Sequence, residues 1–254
     1  MLNDNRLKII VAITAVSIIA VFSMDPIAQD PAYHHFADRR GTLNIPNIYN
    51  ILSSLPFVII GIMGMRLVAL GRASGGLVEL QAVYMTFFAG VFLTGFGSVY
   101  YHYHPDNQTL LWDRLPMTIA FMALFSAVVG ENISSQLALK LFIPLLLSGI
   151  ASAIYWYISE LNGHGDLRAY VLVQLLPILL IPLILWLFNS RLNGNKYIWG
   201  IITAYALSKI TEFFDARIYS TLDVISGHTL KHLLAAFATF IFYRALQNRE
   251  KLSI

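Results

Sequence analysis

The sequence predicts an all-α fold: a polytopic membrane helical bundle with a seven-transmembrane core and one extra N-terminal helix. Three observations carry that prediction. The 254 residues are 57% hydrophobic and 12% charged, whereas soluble domains run about 45–50% apolar and about 25% charged. The apolar residues fall in runs of about 20, the length that crosses a hydrocarbon core. The segments between those runs are short and rich in turn-forming residues. The same composition excludes other classes. Lys+Arg number 17 against 14 Asp+Glu, a net charge of +3, too few cations for a nucleic-acid surface. Apolar content this high collapses and so excludes disorder. Cysteine is absent, which removes disulfide frameworks, thiol nucleophiles and Cys-ligated zinc together.

The first run, Leu7–Met24, has Arg6 just before it and Lys8 at its start. Residues 1–24 read either as the extra helix or as a signal-like segment with Val21-Phe22-Ser23 as its cleavage site; that site is weak, so a retained helix is expected. The longest connection, Asp25–Pro46, holds His34, His35 and the Arg39–Arg40 pair. The core, residues 47–246, follows as Asn47–Leu70, Val78–Tyr101, Leu110–Gly130, Leu137–Ile158, Leu167–Phe188, Tyr197–Phe214 and Gly227–Leu246. Its turns are Gly71–Gly76, Pro105–Thr109, Asn162–Asp166 and Asn189–Asn195. No repeat or linker interrupts it, so residues 1–254 read as a single integral membrane domain. Oligomeric state is left open.

Lys and Arg in short loops set orientation. With the N-terminus in the cytoplasm, ten cations from Arg6 and Lys8 to Arg249 and Lys251 fall on inner segments, and only Arg39, Arg40, Arg168 and Arg217 on outer ones. Both termini are then cytoplasmic, and all seven histidines lie at or near the outer (periplasmic, extracellular or lumenal) face.

Three of the histidines stand out. Ser98 and His102 are i and i+4 at the outer end of one helix, stopped by Pro105. His228 and His232 repeat that spacing at the start of the last helix, which lets two imidazoles share a metal. An ionisable side chain such as His232 inside an apolar helix is a functional residue by default. Asp113 opens the helix between them; taken alone it reads as a cap or a partner for Arg114. Gly90, Thr94, Gly97 and Ser98 also read as a packing seam. Lys231 either snorkels or pairs with Glu212 or Asp215. His34, His35 and His104 read as surface groups or supports.

The topology brings Ser98, His102, Asp113, His228 and His232 to one end of the bundle. Three neutral imidazoles leave a tetrahedral zinc ion with one open position, as in catalytic sites. Water activated there attacks a carbonyl; Asp113 serves as general base and Ser98 as hydrogen-bond donor to the oxyanion.

Ser98-x3-His102, Asp113 followed by Leu115-Pro116-Met117, and His228-x3-His232 resemble the motif set of the alkaline ceramidase family, part of a seven-helix superfamily that includes the adiponectin and progestin receptors. The resemblance covers about Asn47 to Leu246 and is nearest to bacterial ceramidase-domain proteins at Leu93–Met117 and Ser226–His232. It implies an amide hydrolase that cleaves a long-chain, ceramide-like N-acyl lipid to a fatty acid and an amine. By the same resemblance His102, His228 and His232 hold Zn2+, Asp113 activates water and Ser98 stabilises the oxyanion. Two departures stand out. Family members from eukaryotes bind calcium through an acid-rich segment, but here Tyr33–Asn47 offers only Asp38 among acids, so calcium is not expected. The N-terminal helix is the second. Two other functions fit the same residues: a receptor-like or sensor protein with little turnover, and a proton relay or transporter built on Asp113, Lys209, Glu212 and Asp215. The last is disfavoured because these charges gather at one face instead of crossing the bilayer.

Overall fold

Helices make up most of the computed structural model, which describes residues 4–252. Among the described residues there are nine α-helices and no strands: α1 (Asn5–Phe22), α2 (Ile48–Ala69), α3 (Gln81–Tyr103), α4 (Asn107–Asn132), α5 (Ser135–Leu161), α6 (Arg168–Leu187), α7 (Lys196–Phe213), α8 (Asp215–Leu222) and α9 (Gly227–Asn248). The chain is a multi-pass membrane protein. Of the expected N-terminal segment 1–24, residues 1–3 lie outside the described residues.

Every expected run lies on a helix, with three local differences. α4 begins at Asn107 because Asp106 caps it: the Asp106 carboxylate accepts the Thr109 N–H at 2.7 Å, and the Asp106 N–H donates to the Thr109 hydroxyl at 3.2 Å, a capping box. The cap role considered for Asp113 therefore belongs to Asp106. Because α4 starts before the expected Leu110, Pro116 lies well inside it and has no N–H to offer the Trp112 carbonyl one turn back. The connection after Phe214 contains the short helix α8, which ends at Asp223 (φ 56°) and bends by 109° into α9.

Length and apolar composition alone mark fewer spans than the eight expected runs. Among the described residues six helices are long and apolar enough to cross a membrane, or seven if the bent α8–α9 pair is one span. The expected eighth, α7, carries Lys196, Lys209 and Glu212 within 18 residues. Lys209 and Glu212 face an internal cavity, where charge is tolerated better than against lipid.

α2, α3, α4 and α5 pack in chain order, α9 returns against α2, and α7 lies along α9. α6 rests on α4 and α5, and α1, none of whose residues is buried, packs on α6. The expected small-residue seam brings α3 onto α4: a Cβ at Gly97 would overlap the Trp112 carbonyl, and one at Gly90 would come within 2.8 Å of the Ala120 nitrogen. At the end of the bundle away from the histidines, Glu131 receives Arg249 at 2.7 and 2.8 Å and the Tyr84 hydroxyl at 2.8 Å. Arg249 Nε also donates to the Gly75 carbonyl at 3.1 Å. The group ties the last residues of α4, the 71–76 turn and the segment after α9 together.

At the histidine end the 25–46 connection folds down onto the helices. The Leu167 N–H donates to the Ile27 carbonyl at 2.8 Å and the Gln29 N–H to Glu160 at 2.6 Å. Asp166 and Arg168 pair beside it at 2.8 Å.

Candidate metal centre

His102 sits in the last turn of α3, and His228 and His232 in the first two turns of α9. The start of α9 is fixed by Ser226, whose hydroxyl accepts the Thr229 N–H at 3.1 Å. Asp215, at the start of α8, accepts the His228 N–H at 2.7 Å and the Ala37 N–H at 3.0 Å. One carboxylate thus joins α8, α9 and the 25–46 loop, which is why the chain bends just before the two histidines.

The three rings are buried, and their centroids lie 4.9 Å (His102–His228), 4.8 Å (His102–His232) and 4.9 Å (His228–His232) apart. One nitrogen from each falls within 4.8 Å of the others. The nitrogens fit a metal. His232 Nδ1 is 3.2 Å from the Asn50 carbonyl and 2.9 Å from the Ser53 hydroxyl. A carbonyl only accepts, so Nδ1 carries the proton and Nε2 keeps its lone pair, a tautomer assigned from this network. That Nε2 faces His102 Nε2 at 3.2 Å. His228 Nε2 is buried with no hydrogen-bond partner. Converging imidazole nitrogens with a free lone pair suit a divalent transition metal.

Phe36, from the 25–46 loop, lies 4.6 Å from the His102 ring and 4.7 Å from the His228 ring, and keeps water from that side. Asn47 donates to the His102 carbonyl at 2.9 Å. In the segment compared above with a calcium site, burial alone would raise the Asp38 carboxyl. Hydrogen bonds from Arg40 at 2.9 and 2.7 Å outweigh it and hold the group below the usual carboxylate range. Both oxygens of the one acid in that segment therefore already serve Arg40.

Ser98, Asp113 and His232 lie on the wall of one cavity of about 260 Å³, which His102 and His228 adjoin through His232. The Ser54 and Ser98 hydroxyls lie 2.9 Å apart, and the Ser54 hydroxyl also donates to the Asn50 carbonyl at 2.8 Å. The polar end of the cavity also holds Arg114, Lys209, Glu212 and Lys231; deeper, Phe87, Val91, Leu124 and Ile181 make it apolar. Residues of α2, α3, α4, α6, α7 and α9 line it, and Gln174 of α6 donates to the Tyr205 hydroxyl of α7 at 2.8 Å on its wall.

Of the three destinations considered for Lys231, pairing with Glu212 is the one observed, at 3.1 Å; Lys209 pairs with the same carboxylate, and Tyr33 donates to it at 3.1 Å. Arg114 does not pair with Asp113 but with Gln29, at 2.7 Å. His34 bonds Tyr101 and Asn107, while His35, His104 and His164 are exposed. Sequence reasoning missed Asn50, Ser53 and Ser54 on α2. The Ser53-Ser54 pair within an apolar run was the only signal for them.

A family model described as Ceramidase matches residues 41–217, more than half of the chain. The match includes Ser98, His102 and Asp113 and stops before α9, so His228 and His232 join the site through the geometry above. No curated protein matches the chain.

Proposed function

Since the chain belongs to the ceramidase family, we propose that it is a zinc-dependent intramembrane hydrolase of long-chain N-acyl lipids. The observation that carries this reading is the facing pair of buried Nε2 atoms of His102 and His232, 3.2 Å apart, with His232 on the wall of a cavity that is polar at one end and apolar along its depth. His102, His228 and His232 would hold the ion. When bound, zinc supplies Lewis acidity, making water more acidic and the amide carbonyl more electrophilic.

The chain's own residues do the rest. The apolar part of the cavity takes the acyl chain and leaves the amide at the polar end, beside Ser98 and Asp113. The Asp113 carboxylate takes the proton of the attacking water as oxygen bonds to the carbonyl carbon. Asp113 then passes that proton to the amide nitrogen as the C–N bond breaks, releasing a fatty acid and an amine. Ser98 donates its hydroxyl proton in a hydrogen bond to the oxygen that gains charge in between. Phe36 limits access of bulk water. The site lies near the outer face with both termini in the cytoplasm, on the cation bias of the loops. Residues 47–246 form the working core, and α1 is peripheral to it.

Metal analysis of the purified protein, paired with an N-acyl lipid hydrolysis assay, tests this. Wild type is expected to hold stoichiometric zinc and to release fatty acid, and His232→Ala to lose both. Asp113→Asn is expected to keep the zinc and lose turnover by about 10²- to 10⁴-fold. Absence of zinc from the wild type overturns the reading. Stoichiometric zinc without turnover is the outcome a receptor-like protein predicts.

A further inference from the structure

Arg114 contributes neither to the metal cluster nor to the proton path, yet it lies on the cavity wall and is 6% exposed. Its guanidinium carbon is 4.2 Å from the Trp156 ring centroid, 4.8 Å from Tyr170 and 5.5 Å from Tyr33. Those ring faces hold the planar group still through cation–π attraction. Nη2 donates to Gln29 at 2.7 Å, while Nη1 is buried without a partner. Among the described residues no carboxylate is within ion-pair distance of Arg114. Glu212, the other acid of the cavity besides Asp113, is already shared by Lys209 and Lys231. Three cations therefore face two carboxylates before any metal binds. A charge buried inside a membrane protein without a counter-charge is costly, and such residues mark ligand sites.

We propose that Arg114 is an anion subsite that holds a carboxylate of the bound lipid at the polar end of the cavity. It rests on the hydrolase reading for the identity of that lipid. A guanidinium clamped between aromatic faces presents its free N–H edge in the plane that suits a carboxylate, with donor spacing a lysine lacks. The carboxylate has two sources: an acidic head group on the amine side of the substrate, as in an N-acyl amino acid, or the fatty acid freed by hydrolysis.

Two amides that share an acyl chain separate these sources: N-palmitoylglycine, with an acidic head, and N-palmitoylethanolamine, with a neutral one. If the head group is the ligand, Arg114→Gln raises KM for N-palmitoylglycine by about 10- to 100-fold, the loss of a charge-assisted hydrogen bond. Its kinetics on N-palmitoylethanolamine stay within about twofold. If the product is the ligand, both substrates keep their KM and inhibition by palmitate weakens by the larger factor. Either result supports the subsite. Equal loss for the neutral and acidic lipids, or no change in either anion, overturns it. Thermal stabilisation of the protein by palmitate and by N-palmitoylglycine reads the same subsite without turnover. A wild type that hydrolyses neither amide but is stabilised by an anion, through Arg114, therefore sinks the hydrolase reading and not this one. Arg114→Lys keeps the charge should the glutamine variant fail to fold, and is expected to weaken anion binding several-fold while sparing the neutral lipid.

Discussion

His232 takes its orientation from Asn50 and Ser53, one helix away, and that dependence is general among the side chains of the candidate site. His228 is placed by the Asp215 carboxylate through its backbone N–H, and Arg114 by three aromatic faces and Gln29. Outside the membrane-spanning segments, Asp166 gives a residue-scale test. Hydrogen bonds from the Arg168 side chain, with help from the Arg168 N–H and the Tyr155 hydroxyl, pull its carboxyl down to about 2. An unfolded aspartate titrates near 3.9. The folded pKa is depressed, so this pair contributes its full stability above about pH 4 and loses it as pH falls through about 2. Asp166→Asn is therefore expected to melt below wild type at pH 6, with the gap closing towards pH 2. A gap that persists there would refute the assignment.

Helix α4 shows how an element can be shaped to serve the site. Asp106 starts it one turn before the apolar run. Pro116 then leaves the Trp112 carbonyl without its usual partner, next to Asp113. Gly97 of α3 lies against that same carbonyl, where no side chain fits. The close approach sets Ser98 and His102 on α3 against Asp113 on α4. Gly97→Ala is expected to force the helices apart, costing about 1–3 kcal/mol as overpacking does and moving Asp113 from Ser98. A melting curve and a hydrolysis assay check both effects; unchanged values in both would show that the contact is not needed. α7 and α9 present the complementary case. Lys209, Glu212 and Lys231 reduce the apolar character of two helices because they serve the cavity between them, not the lipid outside.

The whole molecule is closed at both ends by different means. Glu131 and Arg249 lock one end with a buried ion pair, and the 25–46 loop covers the other, over the histidines. The native chain has no cysteine, so single cysteines can report its orientation in intact cells. Asn162→Cys is expected to react with a membrane-impermeant maleimide and Ser74→Cys is not; the reverse pattern would invert the topology. The fold class and the order of the long helices are legible in the chain alone, because runs of apolar residues and turn residues are local properties. The sequence also picked out the Ser98–His102, Asp113 and His228–His232 motifs, because i, i+4 spacing and an ionisable residue in an apolar helix are legible without a partner. Only the tertiary structure showed what Arg114 and Lys231 bond to and how Asn50 and Ser53 set the His232 tautomer. Those contacts join residues far apart in the chain, where direction and distance depend on how helices pack and no local pattern records them.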